Sequence, residues 1–318
     1  MKRILSGAIL ALFLSLAANA AGPVPTKVVR LYPEGQGVDR GIVENGVQIT
    51  LGPLEDNGLR GASYARNQNR NMTNIGDDAC LEIYLPEKCN GQMIVDAPGG
   101  AYWVVSMNNE GSFAADWLLQ RGYAVCVVMY RLPNHHHCVP LRDMQNAMRY
   151  CRAHAAEWGV KQIGVMGYSA GGHLAASAST LYVDEVTRPD FSVLVYPVIT
   201  MEEFVTHAGT RNNLMPKTAD KALVERYSLE RQVNAQTPPA ILLLCADDDA
   251  VRPENAIRYY QAMQRHGVPG ELHIFSKGGH GWGFNIEKFG IDDHLSPDVR
   301  KSFCETMDRW LSELRRQL

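Results

Sequence analysis

The sequence predicts an α/β fold built on a doubly wound, mostly parallel sheet. Short apolar runs of strand length recur from residue 92 onward, and segments with a helical pattern alternate with them. The runs are apolar at consecutive positions, which is typical of strands that are covered on both faces. The alternation and the two-sided apolar character together favour a sheet with helices packed on both sides.

The individual elements follow this alternation in order along the chain. The predicted strands are the apolar or β-branched runs Val28–Tyr32, Leu81–Leu85, Met93–Ala97, Tyr123–Tyr130, Ile163–Gly167, Ser192–Tyr196, Ile241–Cys245 and Leu272–Phe275. The predicted helices are one that includes Leu118 and Leu119, then Leu141–Trp158, Gly171–Leu181, Glu254–His266 and Pro297–Arg316. Internal repeats and low-complexity segments are absent, so a single domain over residues 21–318 accounts for this pattern.

One stretch interrupts the alternation. Residues 201–239 contain helical pieces and no predicted strand, and they leave the sheet just before the strand Ile241–Cys245. Open α/β sheets bind ligands at the carboxyl ends of their strands, and an insertion at this point would lie over that edge. We therefore expect residues 201–239 to form a small helical cap.

The first twenty residues have the order of a secretory signal peptide. Met1-Lys2-Arg3 is positive, Ile4–Leu16 is apolar, and Ala18-Asn19-Ala20 is a small-x-small cleavage signal. The rival interpretation is an uncleaved anchor, which the short apolar run disfavours. We expect cleavage after Ala20, a periplasmic or secreted product, and no stable membrane insertion after cleavage.

Charge and cysteine content narrow the range of partners. The formal net charge is −3, so the basic surface that nucleic acid or anionic lipid requires is not indicated.

The seven cysteines occupy positions 80, 89, 126, 138, 151, 245 and 304. Export permits disulfides, and Cys80 with Cys89 or Cys138 with Cys151 are the candidate pairs. No C-x-x-C pattern with partner ligands is present, which argues against a zinc site.

The strongest chemical signal is the pentapeptide Gly167-Tyr168-Ser169-Ala170-Gly171. It has the form G-x-S-x-G and lies between a predicted strand and a predicted helix. This context defines a nucleophile elbow, a tight turn that lifts a serine hydroxyl to the top of the sheet. Ser169 is therefore the predicted nucleophile.

A serine hydroxyl needs a base to take its proton, and in elbow proteins the acid and then the base follow in the chain. His280 follows the last predicted strand among glycines. The weighed alternatives are poorer: His154 and His173 lie on predicted helices, His266 lies near a helix end, and His273 lies within a strand. The acid comes from Asp247-Asp248-Asp249 after the strand Ile241–Cys245. Asp248 is the first choice and Asp247 the second, since closely spaced carboxylates repel and only one is expected to face His280.

Attack by the serine creates an oxyanion that two N–H groups must stabilise. The residue after the nucleophile, Ala170, is one predicted donor. The second is Gly100 or Ala101, in the glycine-containing turn after the strand Met93–Ala97.

Two further groups stand out near these motifs. Trp103 and Trp282 each lie within two residues of a proposed catalytic element, and we expect them to form an apolar wall for substrate. The alternative for both is core packing. The run His135-His136-His137 has no acidic cluster beside it, which favours a loop at the rim of the site over a metal site.

With these residues in place, the chain resembles the small bacterial α/β-hydrolases of the acetylxylan esterase and carbohydrate-esterase type. The matching segments are Pro98–Tyr102, Tyr130–Pro133, Gly164–Ala175, Asp248–Val251 and Gly279–Gly281. The family places its acid three residues before a valine, which supports Asp248. Two positions depart from the family pattern: Ala101 replaces a third glycine, and Arg252 interrupts the usual Val-Pro.

The resemblance implies a serine esterase that removes acetyl or other short acyl groups from polysaccharides or oligosaccharides, without a metal or organic cofactor. Two alternatives stay open, an exopeptidase with the same triad and a sugar-binding relative that has lost the chemistry. The sequence leaves the sugar, the ester and the oligomeric state undetermined.

Overall fold

A computed structural model describes residues 22–32, 42–44, 47–49, 71–72, 75–284 and 295–316. The predicted signal peptide, residues 1–20, lies outside this part of the chain. Within it, no helix combines the length and the apolar character that a bilayer span requires.

An eight-stranded sheet forms the centre of the molecule, in the spatial order β1-β5-β8-β6-β9-β10-β11-β12. Its strands are β1 (Lys27–Arg30), β5 (Cys80–Tyr84), β6 (Gln92–Ala97), β8 (Ala124–Met129), β9 (Gln162–Tyr168), β10 (Ser192–Val195), β11 (Ala240–Cys245) and β12 (Gly270–Phe275). The pairings from β8 to β12 are all parallel, and β1 and β5 join at one edge through antiparallel pairings. The predicted doubly wound, mostly parallel sheet is confirmed.

Two short antiparallel pairs lie outside this sheet. They join β2 (Ile42–Glu44) to β3 (Val47–Ile49) and β4 (Asn71–Met72) to β7 (Val105–Ser106). The sequence analysis predicted neither pair, because strands of two or three residues carry no periodic signal.

The described helices are α1 (Phe113–Leu119), α2 (Cys138–His154), α3 (Ser169–Thr180), α4 (Ala208–Leu214), α5 (Lys221–Tyr227), α6 (Glu254–Arg265) and α7 (Pro297–Arg315). A π-helical turn, Asn108–Ser112, precedes α1. Helix α2 begins three residues before the predicted start at Leu141, because Pro140 falls in its first turn, where a missing N–H needs no partner.

The apolar runs form the core, as predicted. Every residue of β5, β6, β8, β10 and β11 is buried, whereas β12 at the edge of the sheet is only half-buried. In the sheet, β8 is the neighbour of β6 on one side and β9 is its neighbour on the other. The winding direction therefore reverses between β6 and β9. Such a switch point opens a crevice at the carboxyl ends of the strands.

The inserted segment 201–239 has the predicted helical character. It contains α4, α5 and a 3₁₀ turn, Leu229–Arg231, and it contains no strand. His207 and Asp220 cap the two helices by accepting hydrogen bonds from backbone N–H groups three residues on. The Asn213 side chain donates a 2.9 Å hydrogen bond to the carbonyl of Ala101, so the segment contacts the loop that follows β6.

A buried ion pair joins the loop after β8 to α2. The Asp143 carboxylate accepts hydrogen bonds from the Arg131 guanidinium, 2.6 Å from Nη2 and 3.0 Å from Nε, and from the Arg131 backbone N–H. The Tyr32 hydroxyl also donates to Asp143. Both charged side chains are at most 1% exposed. The pair therefore attaches the segment after β1 to the loop after β8 and to α2.

The cysteines do not form the candidate disulfides. Among the described residues, Cys89 and Cys151 are free thiols. Since each candidate pair contains one of these two residues, neither the Cys80–Cys89 nor the Cys138–Cys151 bridge is present.

Candidate active site

The nucleophile elbow lies at the carboxyl end of β9, beside the switch point. Ser169 starts α3 and has a φ of +51°, a strained conformation for a residue with a side chain. The neighbouring glycines are required by space: a Cβ on Gly167 would lie 2.2 Å from the carbonyl oxygen of Gly171, and one on Gly171 would lie 2.0 Å from that of Ala97. These contacts explain the G-x-S-x-G spacing in this chain.

His280 lies between Ser169 and Asp248, in the loop after β12 that we call the histidine loop (residues 276–284). Its Nε2 is 2.8 Å from Ser169 Oγ, and its Nδ1 is 2.7 Å from Asp248 Oδ2. A carboxylate only accepts, so Nδ1 carries the proton and Nε2 accepts from the serine hydroxyl. The structure thus brings the three predicted side chains together in the order that general-base activation requires.

Asp248 and Asp247 have different partners, although they are adjacent. The buried Asp248 accepts hydrogen bonds from the backbone N–H groups of Ala250 and Val251 on the oxygen that does not face His280. Asp247 is exposed, and its Oδ1 accepts 2.9 Å hydrogen bonds from the N–H groups of Gly278 and Gly279. Asp248 therefore contacts the imidazole, and Asp247 holds the backbone of the histidine loop.

The loop after β6 (residues 98–104), which we call the oxyanion loop, also has a strained backbone. Gly100, Ala101 and Tyr102 have φ values of +125°, +56° and +56°. A Cβ on Gly100 would lie 2.3 Å from the carbonyl oxygen of Val104, so this position requires glycine. Ala101 adopts the left-handed conformation that the family's usual glycine would adopt freely.

The N–H groups of Gly100 and Ala101 donate to no acceptor among the described residues. Ala170 lies in the first turn of α3, where backbone N–H groups have no intrahelical partner. The three predicted donors thus lie at the ends of β6 and β9 and are available for an oxyanion; their role stays a prediction.

His173 links the oxyanion loop to the nucleophile helix. Its Nε2 lies 2.9 Å from the carbonyl of Tyr227, so Nε2 carries the proton, and Nδ1 accepts a 3.0 Å hydrogen bond from the Tyr102 hydroxyl. Burial lowers the pKa of His173 to about 4, which keeps the ring neutral. The sequence analysis treated this histidine only as a helix residue.

The two tryptophans have different environments in the structure. Trp103 lies in the oxyanion loop and is 46% exposed, which is compatible with the predicted apolar wall. Trp282 is 0% exposed and packs edge-on against Tyr196 and Phe303. The expectation that Trp282 contacts substrate is therefore corrected: the chain turns inward after His280, and the indole is a core group.

The three adjacent histidines lie in the loop between β8 and α2. His135 donates to two carbonyls of the inserted segment, from its backbone N–H to Asn213 and from Nδ1 to Met215. His137 Nδ1 lies 2.8 Å from the Tyr227 hydroxyl. In the described part of the chain, no group of three or more metal-ligating side chains is assembled. The run supports the inserted segment beside the site.

His207 is a residue that the sequence analysis missed. It lies half-buried in the inserted segment, and its pKa is lowered by burial and by the charge of His280, with Asp248 acting in the opposite direction. The helix cap at His207 therefore lies within electrostatic reach of His280 and Asp248. The only sequence signal for it was its place in a segment predicted to cover this edge.

The fold and this constellation define a class of protein. The profile of a family described as alpha/beta hydrolase fold matches residues 94–284, and the chain belongs to this family. The match contains most of β6, the elbow, Asp248 and His280, and the predicted family resemblance is confirmed.

Particular relatives are similar over most of the chain. An acetylxylan esterase of Xylanibacter ruminicola is 39% identical over 74% of this chain and 50% of its own length. An endo-1,4-beta-xylanase B of Butyrivibrio fibrisolvens is 31% identical over 58% of this chain and 31% of its own length. The chain thus spans half or less of the length of these curated relatives.

One solved structure covers nearly the whole chain. The acetyl ester-xyloside bifunctional hydrolase from Caldicellulosiruptor lactoaceticus superimposes with a TM-score of 0.69 at 27% identity, over 92% of this chain and 98% of that one.

Proposed function

We propose that this protein is a serine esterase that hydrolyses short acyl esters, above all acetyl esters, on plant polysaccharides or oligosaccharides. The observation that carries the proposal is the pair of hydrogen bonds at His280, 2.8 Å to Ser169 Oγ and 2.7 Å to Asp248. A hydroxyl in contact with an oriented imidazole is the arrangement that acyl transfer to serine requires.

In the proposed mechanism, Ser169 Oγ attacks the ester carbonyl while His280 Nε2 takes its proton. Asp248 stabilises the imidazolium that forms. The N–H groups of Ala170 and of Gly100 or Ala101 stabilise the oxyanion. His280 then protonates the departing sugar hydroxyl, and an acyl-enzyme remains on Ser169. A water molecule deprotonated by His280 releases the carboxylic acid and regenerates the serine.

The acetyl specificity rests on the relatives. Their names refer to acetylxylan and to acetyl ester-xyloside substrates, and we carry this substrate class over to the present chain as part of the proposal. Export through the signal in residues 1–20 supports it, because plant polysaccharides lie outside the cytoplasm.

The proposal is tested with p-nitrophenyl acetate and acetylated xylan as substrates and with Ser169→Ala as the control. We expect the wild-type protein to release acetate from both and the variant to release none above background. Equal inactivity of both proteins on every acetyl ester would contradict the proposal and favour a sugar-binding role. Release of N-terminal amino acids from peptides, without esterase activity, would favour the exopeptidase alternative.

A panel of acetylated xylan, pectin and mannan and of feruloyl esters, scored by the released acid, then identifies the natural ester. N-terminal sequencing of the protein from a periplasmic or culture fraction tests the cleavage after Ala20.

A further inference from the structure

The turn Asn108–Ser112 lies behind the catalytic site and contacts both of the loops that frame it. The Glu110 carboxylate accepts a 2.7 Å hydrogen bond from the N–H of Gly99, at the start of the oxyanion loop. Its other oxygen accepts a 2.7 Å hydrogen bond from the Tyr196 hydroxyl, and that hydroxyl accepts a 2.9 Å hydrogen bond from the N–H of Gly283. A continuous path of three hydrogen bonds therefore joins the oxyanion loop to the histidine loop.

The neighbouring residue reinforces this connection on the histidine side. The Asn109 side chain donates a 2.9 Å hydrogen bond to the carbonyl of Gly281. The backbone carbonyl of Asn109 accepts a hydrogen bond from the N–H of Phe284. The histidine loop is thus held by the turn on both sides of Trp282. The distance between the oxyanion donors and His280 depends on these contacts.

Tyr196 also touches the catalytic imidazole. Its ring centroid lies 4.7 Å from that of His280, and its backbone φ of +35° is strained for a tyrosine. The strained backbone directs the phenol between the imidazole and Glu110. A hydroxyl that both accepts from Gly283 and donates to Glu110 uses the two capacities that a phenol offers and that phenylalanine lacks.

Glu110 has a second buried acid as its neighbour. Asp96 is close to it, but both Asp96 oxygens lack a hydrogen-bond partner among the described residues. Burial, and then the charge of Glu110, raises the pKa of Asp96 well above its ordinary range. Burial also raises the pKa of Glu110, whereas the Tyr196 hydroxyl, the Gly99 N–H and His280 lower it.

We propose that Glu110 and Tyr196 are positioning residues that act as one strut, fixing the oxyanion loop and the histidine loop relative to each other. The proposal rests on the proposed esterase function. A fixed distance between the two loops matters because the oxyanion donors and the imidazole must both contact one tetrahedral centre. Neither residue touches the reacting atoms.

The test uses Glu110→Gln, Tyr196→Phe and the double variant. Tyr259→Phe is the matched control, because Tyr259 is a fully buried tyrosine whose hydroxyl has no partner among the described residues and which lies on α6, outside the site. We expect each single variant to lower kcat on p-nitrophenyl acetate by about 10- to 100-fold, with KM changed by less than about threefold. The inhibition constant of an alkylboronic acid, which forms a tetrahedral adduct with the serine, should rise by the same factor as kcat/KM falls.

A second readout does not depend on activity. Hydrogen exchange followed by mass spectrometry should show faster exchange in both loops for both single variants, although Glu110 contacts only the oxyanion loop and Tyr196 only the histidine loop. The double variant should lose no more kcat than the worse single variant, since both break one path. The control variant should match the wild type in both readouts.

Faster exchange confined to the loop that each residue contacts, or kcat losses that multiply in the double variant, would overturn the strut. Wild-type kcat in both single variants would overturn it as well. A wild-type protein without esterase activity would instead contradict the proposed function, and the crossed exchange pattern would still decide on the strut.

Discussion

Asp143 on α2 and Asp248 in the loop after β11 are both buried aspartates that contact a basic side chain. The side chains of both are 0% exposed, and both accept backbone N–H hydrogen bonds. They differ in their partner. Asp143 faces Arg131, which is permanently charged and itself buried, whereas Asp248 faces His280, which gains and loses a proton and is 20% exposed.

The difference in partner separates a structural pair from one that we propose to be catalytic. A buried arginine keeps its proton, so the Arg131–Asp143 pair only fixes chain segments. The imidazole of His280 has a second nitrogen, and that nitrogen contacts Ser169. Similar burial therefore accompanies a structural role at Asp143 and the proposed chemical role at Asp248, and single substitutions should separate the two.

The largest effect is expected at Asp248. Asp248→Asn keeps the shape but favours the wrong imidazole tautomer, because an amide can donate to Nδ1. We expect kcat on p-nitrophenyl acetate to fall by about 10⁴-fold, with only a small change in the urea midpoint of unfolding. An Asp248→Asn variant that retains most of the wild-type activity would contradict the proposed role of Asp248. Asp249→Asn, at an exposed neighbouring carboxylate, is the matched control.

The reverse pattern is expected at Arg131. Arg131→Met leaves the Asp143 carboxylate buried without its cation, which should lower the free energy of unfolding by about 3–5 kcal/mol. The kcat of the folded fraction should stay within about threefold of wild type.

The double variant Arg131→Met/Asp143→Leu sharpens this result. Replacing both charges by apolar groups should restore most of the lost stability, as measured by urea titration. A double variant no more stable than the single one would show that the pair's hydrogen bonds, rather than the unpaired charge, account for the loss.

A smaller effect is expected on acidification, from His173. Burial lowers its pKa from about 6.5 to about 4, so the unfolded chain takes up the proton first as the pH falls. The stability that depends on the neutral ring is complete above pH 6.5 and is lost as the pH falls toward 4. Urea midpoints between pH 7 and pH 4 should therefore fall less steeply in His173→Gln than in the wild type; equal slopes would assign the acid sensitivity to other groups.

The smallest effect is expected at Trp103, at the exposed margin of the site. Trp103→Ala should raise KM for acetylated xylan several-fold and leave kcat on p-nitrophenyl acetate unchanged, because only the larger substrate reaches this ring. The buried Trp282 offers no such surface. An unchanged KM on xylan would remove Trp103 from the substrate site.

Local patterns were sufficient to predict the sheet, the elbow and the order of serine, acid and histidine. These features are carried by consecutive residues: apolar runs for the strands, and a glycine-serine pentapeptide between a strand and a helix for Ser169. The choice of Asp248 over Asp247 also agrees with the contacts in the structure, in which the side chains of these adjacent residues point to different partners.

What the sequence did not indicate depends on contacts between distant residues. Glu110 and Tyr196 are 86 positions apart, and neither belongs to a motif that marks it as polar and buried at the site. The inward turn that buries Trp282 depends on its packing against Phe303 in α7, which the spacing around His280 does not encode. His207 lies near the catalytic pair only because the inserted segment folds over this edge.

The central claim is that Ser169 carries the acyl group during turnover. The most direct measurement is peptide mapping by mass spectrometry of enzyme quenched in acid while it hydrolyses p-nitrophenyl acetate. We expect one acetyl group on the peptide that contains Ser169. It should form together with an initial burst of p-nitrophenol and disappear as acetate is released. An acetyl group on another residue, or ester hydrolysis undiminished in Ser169→Ala, would contradict this claim.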